Sequence, residues 1–274
     1  IDPEMVRDPD VIVHVGAGRG SEITEHLASD ARRIVLVEPD PDSLREIRRR
    51  TSHDQRVEII ASAVSDKTRP SALQRFNMRE FNSLRLPTGL TQRYPGLRRK
   101  DTVDVDVQRA SVLIGQLGVE SGKNNRLIAD APGEEAAIIE DLQSSGFLEA
   151  FPYLTVCVAD EPLFEGNSDG RALLRQLAEY GYVQVSRDED ISPDRPALSL
   201  YRDPRKQEIA ELKQSHTEEL SAITTERDEL RDQLSKAAKD SKEKSGEIER
   251  LLQERDARKQ EIAELKQSHT EELS

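Results

Sequence analysis

A glycine-rich turn follows the first short apolar run of the sequence. The run Val11–Val15 leads into GAGRG at positions 16–20, and a helix-forming stretch over 21–29 comes next. Glycines between a strand and a helix let the backbone approach a ligand closely, and the first turn of the helix offers free N–H groups. The pattern predicts a nucleoside-binding turn; the alternative is a tight turn with no ligand.

An acidic residue about twenty positions further along supports the nucleoside interpretation. Glu38 ends a second apolar run, Ile34–Val37, and its two carboxylate oxygens suit the two hydroxyls of a ribose. A dinucleotide fingerprint needs glycine at position 21, where this chain has Ser21. The G-x-G-x-G spacing therefore favours S-adenosylmethionine, with NAD as the runner-up. Without a ligand, Glu38 is simply a surface glutamate.

Other site chemistries are not supported by the residue spacing. Gly122-Lys123 resembles part of a phosphate-binding loop, but Leu117 and Asn124 occupy positions where that motif needs glycine and Ser/Thr. There is no G-x-S-x-G elbow, and the five histidines show no metal-ligand spacing. We therefore expect no metal site.

Alternating apolar runs and helical stretches must position the turn and Glu38. This alternation is typical of a mainly parallel sheet with helices on both faces. Residues 67–105 have weak periodicity and are interpreted as an insertion or lid. The predicted strands are Val11–Val15, Ile34–Val37, Val57–Val64, Arg126–Ala129, Tyr153–Ala159, Tyr182–Ser186 and Ala197–Tyr201.

Five motifs in one order resemble the FkbM-type family of S-adenosylmethionine-dependent methyltransferases. They are the glycine turn, VEP at 37–39, ASAVSD at 61–66, FNSL at 81–84 and DAPGEE at 130–135. The resemblance covers residues 10–201. It implies an α/β, Rossmann-like seven-stranded methyltransferase sheet and O-methylation of a hydroxyl on a glycan or small metabolite.

The resemblance also implies a set of site residues. Asp130 would lie beside the reactive end of S-adenosylmethionine, and Asp130 and Glu135 are the candidate bases for the acceptor hydroxyl. The implied cofactor-binding residues are Gly16, Ala17, Gly18, Gly20, Glu38, Ser62, Ala63 and Asp130.

Two positions depart from the family pattern. His14 stands where the family usually has an acidic residue, and Pro132 removes a carboxylate and a backbone donor from the loop after the fourth strand. These departures favour an alternative, in which a non-catalytic methyltransferase-like head serves as an interaction or capping module on a structural coiled coil.

Composition excludes several functional classes. Charged residues make up 34% of the chain, the pI is about 5.0, and no apolar run approaches the length of a membrane span. An acidic chain without a basic face is not typical of a nucleic-acid-binding protein. The single cysteine, Cys157, suits a reducing compartment, and no signal sequence is recognisable, so we expect a cytoplasmic protein.

The C-terminal segment differs from the rest. All ten Phe and Tyr residues lie at or before Tyr201, which predicts a methyltransferase-like domain over 1–203 and a coiled-coil rod over 204–274. The string RKQEIAELKQSHTEELS occurs at 205–221 and again 53 residues later. Apolar residues recur every three or four positions, which predicts self-association through residues 206–274; an isolated helix or a disordered tail are the alternatives. The apolar seam consists of Ile209, Leu212, Leu220, Ile223, Leu230, Leu234, Ala237, Ile248, Leu251, Ile262, Leu265 and Leu273.

Overall fold

The computed structural model describes residues 9–166, 169–189 and 194–272, so the predicted seam residue Leu273 lies outside the described part. Ten strands and seven α-helices occur in these ranges. In chain order they are β1 (Val11–Val15), α1 (Ile23–Ala28), β2 (Arg33–Val37), α2 (Pro41–Thr51), β3 (Val57–Ile60), β4 (Ala63–Ser65), β5 (Arg69–Phe76), α3 (Leu90–Arg93), β6 (Arg99–Arg109), α4 (Ala110–Leu117), β7 (Arg126–Ala129), α5 (Glu135–Ser144), β8 (Tyr153–Cys157), α6 (Gly170–Glu179), β9 (Tyr182–Asp188), β10 (Ala197–Arg202) and α7 (Pro204–Glu272).

Seven strands form one sheet in the order β3-β2-β1-β7-β8-β10-β9. The first five strands are parallel to one another, whereas β10 runs antiparallel to both β8 and β9. The predicted seven-stranded Rossmann-like sheet is therefore confirmed. Strands β2 and β3 lie on one side of β1, and β7 and β8 lie on the other, so the strand order reverses between β1 and β7. A crevice therefore opens at the carboxyl ends of these two strands, where such sheets bind ligands.

A second, three-stranded sheet with the order β4-β6-β5 corrects two predictions. The predicted strand Val57–Val64 is in fact two strands in different sheets, β3 and β4. The segment predicted as a weakly structured insertion contains β5 and most of β6, which pair antiparallel. Their sequence hides them because one face is exposed and charged, with Arg75 paired to Asp101 across the strands at 3.2 Å.

Both faces of the large sheet are covered, and this fixes the position of the glycine turn. Val13 and Val15 point into the larger core, which includes apolar residues of α4 and α5. Ile12 points to the opposite face, where Ile23 of α1 and Ile47 of α2 belong to the same apolar cluster. Because β1 is buried on both faces, the turn that follows it is held at the edge of a rigid sheet.

The chain divides into two compact units between Gln207 and Glu208, within the first turn of α7. The predicted long helix is confirmed, since α7 comprises 69 residues. Its described apolar seam residues are exposed, and the coiled coil stays a prediction. Among the described helices, none is both long enough and apolar enough to cross a membrane.

Candidate functional site

A solvent-open cleft lies at the carboxyl ends of the central strands. Six of the nine predicted site residues line it, and Ala17, Gly20 and Glu135 do not. The second sheet and the 3₁₀ turn at Arg79–Phe81 form the facing wall. The lining residues are Val15, Gly16, Gly18, Glu38, Pro39, Ser43, Ser62, Ala63, Val64, Leu73, Arg79, Glu80, Asn82, Ser83, Leu84, Asp130, Ala131, Pro132 and Glu134.

Close packing at the floor of the cleft requires a glycine at position 16. Its φ is +83°, and a Cβ atom there would lie 1.9 Å from the carbonyl oxygen of Asp130. Its N–H donates to the carbonyl of Val37 at 2.8 Å, which ties the turn to the end of β2. The loop after β1 and the loop after β7 therefore touch backbone to backbone. Ala17, by contrast, is buried in the apolar cluster beneath the turn.

Glu38 is bonded directly to the glycine turn. The Gly18 N–H donates to Glu38 Oε2 at 2.7 Å, and the Asp40 N–H donates to Oε1 at 2.7 Å. Burial raises the pKa of Glu38 to about 7, although these two backbone donors act in the opposite direction. Each carboxylate oxygen keeps lone-pair capacity for a further donor. The two motifs that sequence spacing linked are thus one hydrogen-bonded unit that faces the cleft.

Asp130 is held by an arginine that sequence reasoning missed. The Arg195 Nη2 donates to Asp130 Oδ1 at 2.7 Å, to Glu135 Oε1 at 2.6 Å and to the Cys157 carbonyl at 2.9 Å. Arg195 is buried, and it reaches the site from the loop before β10. No local motif marks it, because only the closing strand of the sheet brings it across to β7.

Glu135 lies beneath the cleft surface. It accepts a hydrogen bond from the Gly133 N–H at 2.9 Å in addition to the contact with Arg195. Burial raises its pKa to about 7 despite the opposing charge of Arg195. Its role as a base stays a prediction, and its contacts are those of a group that orients Arg195.

Glu134, which immediately precedes α5, also lines the cleft. It is buried, and its carboxylate accepts from Ser65 Oγ at 2.6 Å and from Arg85 Nε at 2.6 Å. Nearby, Ser83 Oγ donates to the Pro132 carbonyl at 2.5 Å. These contacts join the loop after β7 to the facing wall of the cleft.

His14 forms a buried cluster with two residues of the α1 region. Its Nδ1 lies 3.0 Å from His26 Nε2, and its Nε2 lies 3.4 Å from Glu22 Oε2. Burial lowers the pKa of both imidazoles to about 3, so both are neutral near pH 7. Burial and the charge of Asp130 raise the pKa of Glu22 to about 7. Spacing in the sequence does not reveal this cluster, because a strand and a helix supply its members.

No family model matches the sequence, and no curated protein matches it. Several solved structures do resemble the fold. The FkbM methyltransferase of Methylobacillus flagellatus KT is 13% identical, with 71% of this chain and 44% of that chain covered and a TM-score of 0.45. Fibrillarin of Aeropyrum pernix, crystallised with S-adenosyl-L-methionine, is 14% identical over 72% of this chain and 67% of that one, with a TM-score of 0.40.

A third resemblance is to a Burkholderia thailandensis N1-methyltransferase crystallised with 1,6-didemethyltoxoflavin and S-adenosylhomocysteine. It is 12% identical, the comparison covers 72% of each chain, and the TM-score is 0.38. The present chain spans less than half the length of the Methylobacillus protein.

Proposed function

We propose that the chain is an S-adenosylmethionine-dependent O-methyltransferase that acts on a hydroxyl of a glycan or small metabolite. The observation that carries the proposal is the bond between the Gly18 N–H and Glu38 at the edge of the sheet. It places a glycine turn without a side-chain barrier next to a buried carboxylate, and both line the same cleft at the carboxyl ends of the strands.

Different residues of the cleft would contact different parts of this cofactor. Glu38 would accept hydrogen bonds from the ribose hydroxyls, and Gly16 and Gly18 leave room for the chain between ribose and sulfur. Ser62 and Ala63 also line the cleft. When bound, the cofactor supplies an electrophilic methyl group on a sulfonium.

Asp130 is the residue placed to act on the acceptor. It lines the cleft, its side chain is one-third exposed, and Arg195 fixes one of its oxygens. In that position it would accept a hydrogen bond from the acceptor hydroxyl and align it for in-line displacement. Glu135 would act as a positioning residue through Arg195.

The non-catalytic head remains the second candidate. It is favoured by the pairing of the acidic residues in the loop after β7: Asp130 and Glu135 contact Arg195, and Glu134 contacts Arg85. Each of these carboxylates has an oxygen engaged by a guanidinium, which leaves fewer lone pairs for an acceptor hydroxyl. In this reading the head binds a partner and performs no transfer.

The exposed seam of α7 supports a second part of the proposal, self-association through residues 206–274. A single helix would leave a row of Ile and Leu side chains in water, and pairing with a copy of itself would bury them. The buried, reduced Cys157 is consistent with a cytoplasmic location.

Calorimetric titration with S-adenosylmethionine tests the proposal. We expect the wild-type chain to bind, and Glu38→Ala to lose about 2–3 kcal/mol of binding free energy, because a charge-assisted pair of hydrogen bonds disappears. Glu46→Ala is the matched control, since Glu46 is a partly exposed glutamate of α2 that pairs with Arg49 and does not line the cleft. No binding by the wild type would favour the non-catalytic head, and equal binding by Glu38→Ala would remove Glu38 from the site.

A further inference from the structure

Two imidazoles and one carboxylate meet on the α1 side of the large sheet, apart from the cleft lining. His14 is on β1, Glu22 precedes the first turn of α1, and His26 is on α1. Both imidazoles are 2% exposed. One potential ligand atom from each residue lies within 4.8 Å of the other two. We propose that His14, Glu22 and His26 form a binding site for a divalent transition-metal ion of the Zn²⁺ class.

Two ring nitrogens in the cluster lack partners. Neither His14 Nε2 nor His26 Nδ1 has a hydrogen-bond partner among the residues that the structure describes. Buried polar atoms are seldom left in this state, because losing water without a replacement costs free energy. A metal ion at the cluster would take the lone pair of His14 Nε2 and so give that buried atom a partner.

The contact between His14 and Glu22 has the geometry of two ligands that share an ion. His14 Nε2 and Glu22 Oε2 are 3.4 Å apart, and the contact does not meet hydrogen-bond geometry. Tetrahedral bonds of about 2.0–2.1 Å place neighbouring ligand atoms about 3.3–3.4 Å apart. The ligand atom of His26 would be Nε2, which would exchange its hydrogen bond with His14 Nδ1 for a bond to the metal.

The donor set and its surroundings select the class of ion. Two imidazoles favour Zn²⁺, Co²⁺ or Ni²⁺ over Mg²⁺ and Ca²⁺, which prefer oxygen. The side chain of Glu22 is 17% exposed, which gives an entry path and room for water as a fourth ligand. The positive charge of Arg126 acts on all three groups, and its side chain is held by Glu25 and Thr155.

The location gives the ion a structural consequence. His14 precedes the turn at 16–20, and Glu22 and His26 follow it, so a bound metal would link β1 to α1 across the turn. Metal binding should therefore raise the thermal unfolding midpoint of the whole chain, since the ion binds only the folded state.

Titration of the tag-free full chain with Zn²⁺, and with Co²⁺ as a spectroscopic probe, tests the site. We expect one equivalent to bind, a visible Co²⁺ absorption typical of tetrahedral coordination, and a raised unfolding midpoint. Glu22→Gln and His26→Gln should each weaken binding at least about tenfold. Glu22→Gln is nearly isosteric and partly exposed, so it keeps the test valid if a histidine variant fails to fold.

His53→Gln is the matched control, because His53 is an exposed histidine outside the cluster. It should bind Zn²⁺ as the wild type does. Absence of binding by the wild type, unchanged binding by Glu22→Gln, or loss of binding by His53→Gln would overturn the proposal. None of these measurements uses S-adenosylmethionine, so the site stands or fails separately from the proposed function.

Discussion

The first unit and the long helix α7 handle apolar side chains in opposite ways. In the first unit, residues such as Ile12, Val13 and Leu127 are at most 1% exposed and pack against elements of the same chain. On α7, Ile209 is 50% exposed and Leu234 is 74% exposed. The first unit therefore buries its apolar residues in its own core, whereas the regularly spaced apolar residues of α7 stay exposed.

Polar groups differ in the same way. Several charged side chains around the cleft are buried and have defined partners, as Arg195 has in Asp130 and Glu135. On α7 the ion pairs are exposed, for example that between Arg250 and Glu254, and such pairs contribute little to stability. At about 1.5 Å per residue, the 69 residues of α7 extend roughly 100 Å, supported mainly by helix propensity. We therefore expect ligand binding and catalysis in the first unit, and we expect α7 to serve in self-association.

The largest expected effect comes from charging the apolar seam of α7. Replacing Ile223 and Leu230 together by Asp should convert a self-associated chain into a monomer at tens of micromolar. Each buried Ile or Leu contributes about 1.5–3 kcal/mol, and the new carboxylates would meet their copies across the interface. Size-exclusion chromatography with light scattering measures the change in mass.

The control adds the same charge to the other side of the helix. Ser221→Asp and Thr225→Asp lie about half a turn from the seam and should leave the mass unchanged. A wild-type chain that is already monomeric, or a control pair that also dissociates, would show that α7 does not pair through this seam.

Local order in the sequence made the glycine turn, Glu38 and the long helix predictable. Their signals lie within one strand–turn–helix segment or one periodic stretch, so neighbouring residues fix them. The second sheet was missed because β4 and β5 find their partner β6 far along the chain, and charged, half-exposed strands lack an apolar run. Arg195 and the contact of His14 with His26 depend on tertiary packing, which carries no local pattern.

Substitutions at two glycines of the first unit separate close packing from backbone strain. Gly16→Ala should destabilise the fold by about 3 kcal/mol, since the new Cβ would overlap the Asp130 carbonyl. Gly18→Ala has its nearest atom at 3.9 Å and should cost only about 1–2 kcal/mol, for the left-handed conformation alone. Urea denaturation measures both, and equal losses would mean that the two loops can separate at little cost.

The affinity for S-adenosylmethionine should depend on pH through Glu38. Burial raises the pKa of this group to about 7, and the like charges of Asp40 and Asp130 act in the same direction. Ribose hydroxyls donate to the ionised carboxylate, so the affinity should fall by up to about tenfold per pH unit below pH 7 and level off above it. Without ligand the sign reverses: the fold loses stability as pH rises from about 4.5 through about 7, because the unfolded chain releases this proton first.

Calorimetry at several pH values measures this dependence. Glu38→Gln should flatten it, because the amide does not titrate in this range. A wild-type affinity that stays constant below pH 7 would show that the carboxylate does not accept the ribose hydroxyls.

The smallest expected effects come from replacing one glycine by alanine in each region, where the changes in stability should be opposite. Gly246, within α7, and Gly118, after α4, both leave open space for a Cβ atom, with nothing within 4 Å. Gly246 is helical, so Gly246→Ala should stabilise α7 by about 1 kcal/mol through lower backbone entropy in the unfolded chain. Gly118 has a φ of +61°, so Gly118→Ala should instead destabilise the first unit by about 1–2 kcal/mol. Thermal melts followed by far-UV circular dichroism measure both changes. A lower unfolding midpoint for Gly246→Ala would mean that position 246 packs against a neighbouring helix. The face through which α7 pairs would then not be the Ile and Leu seam.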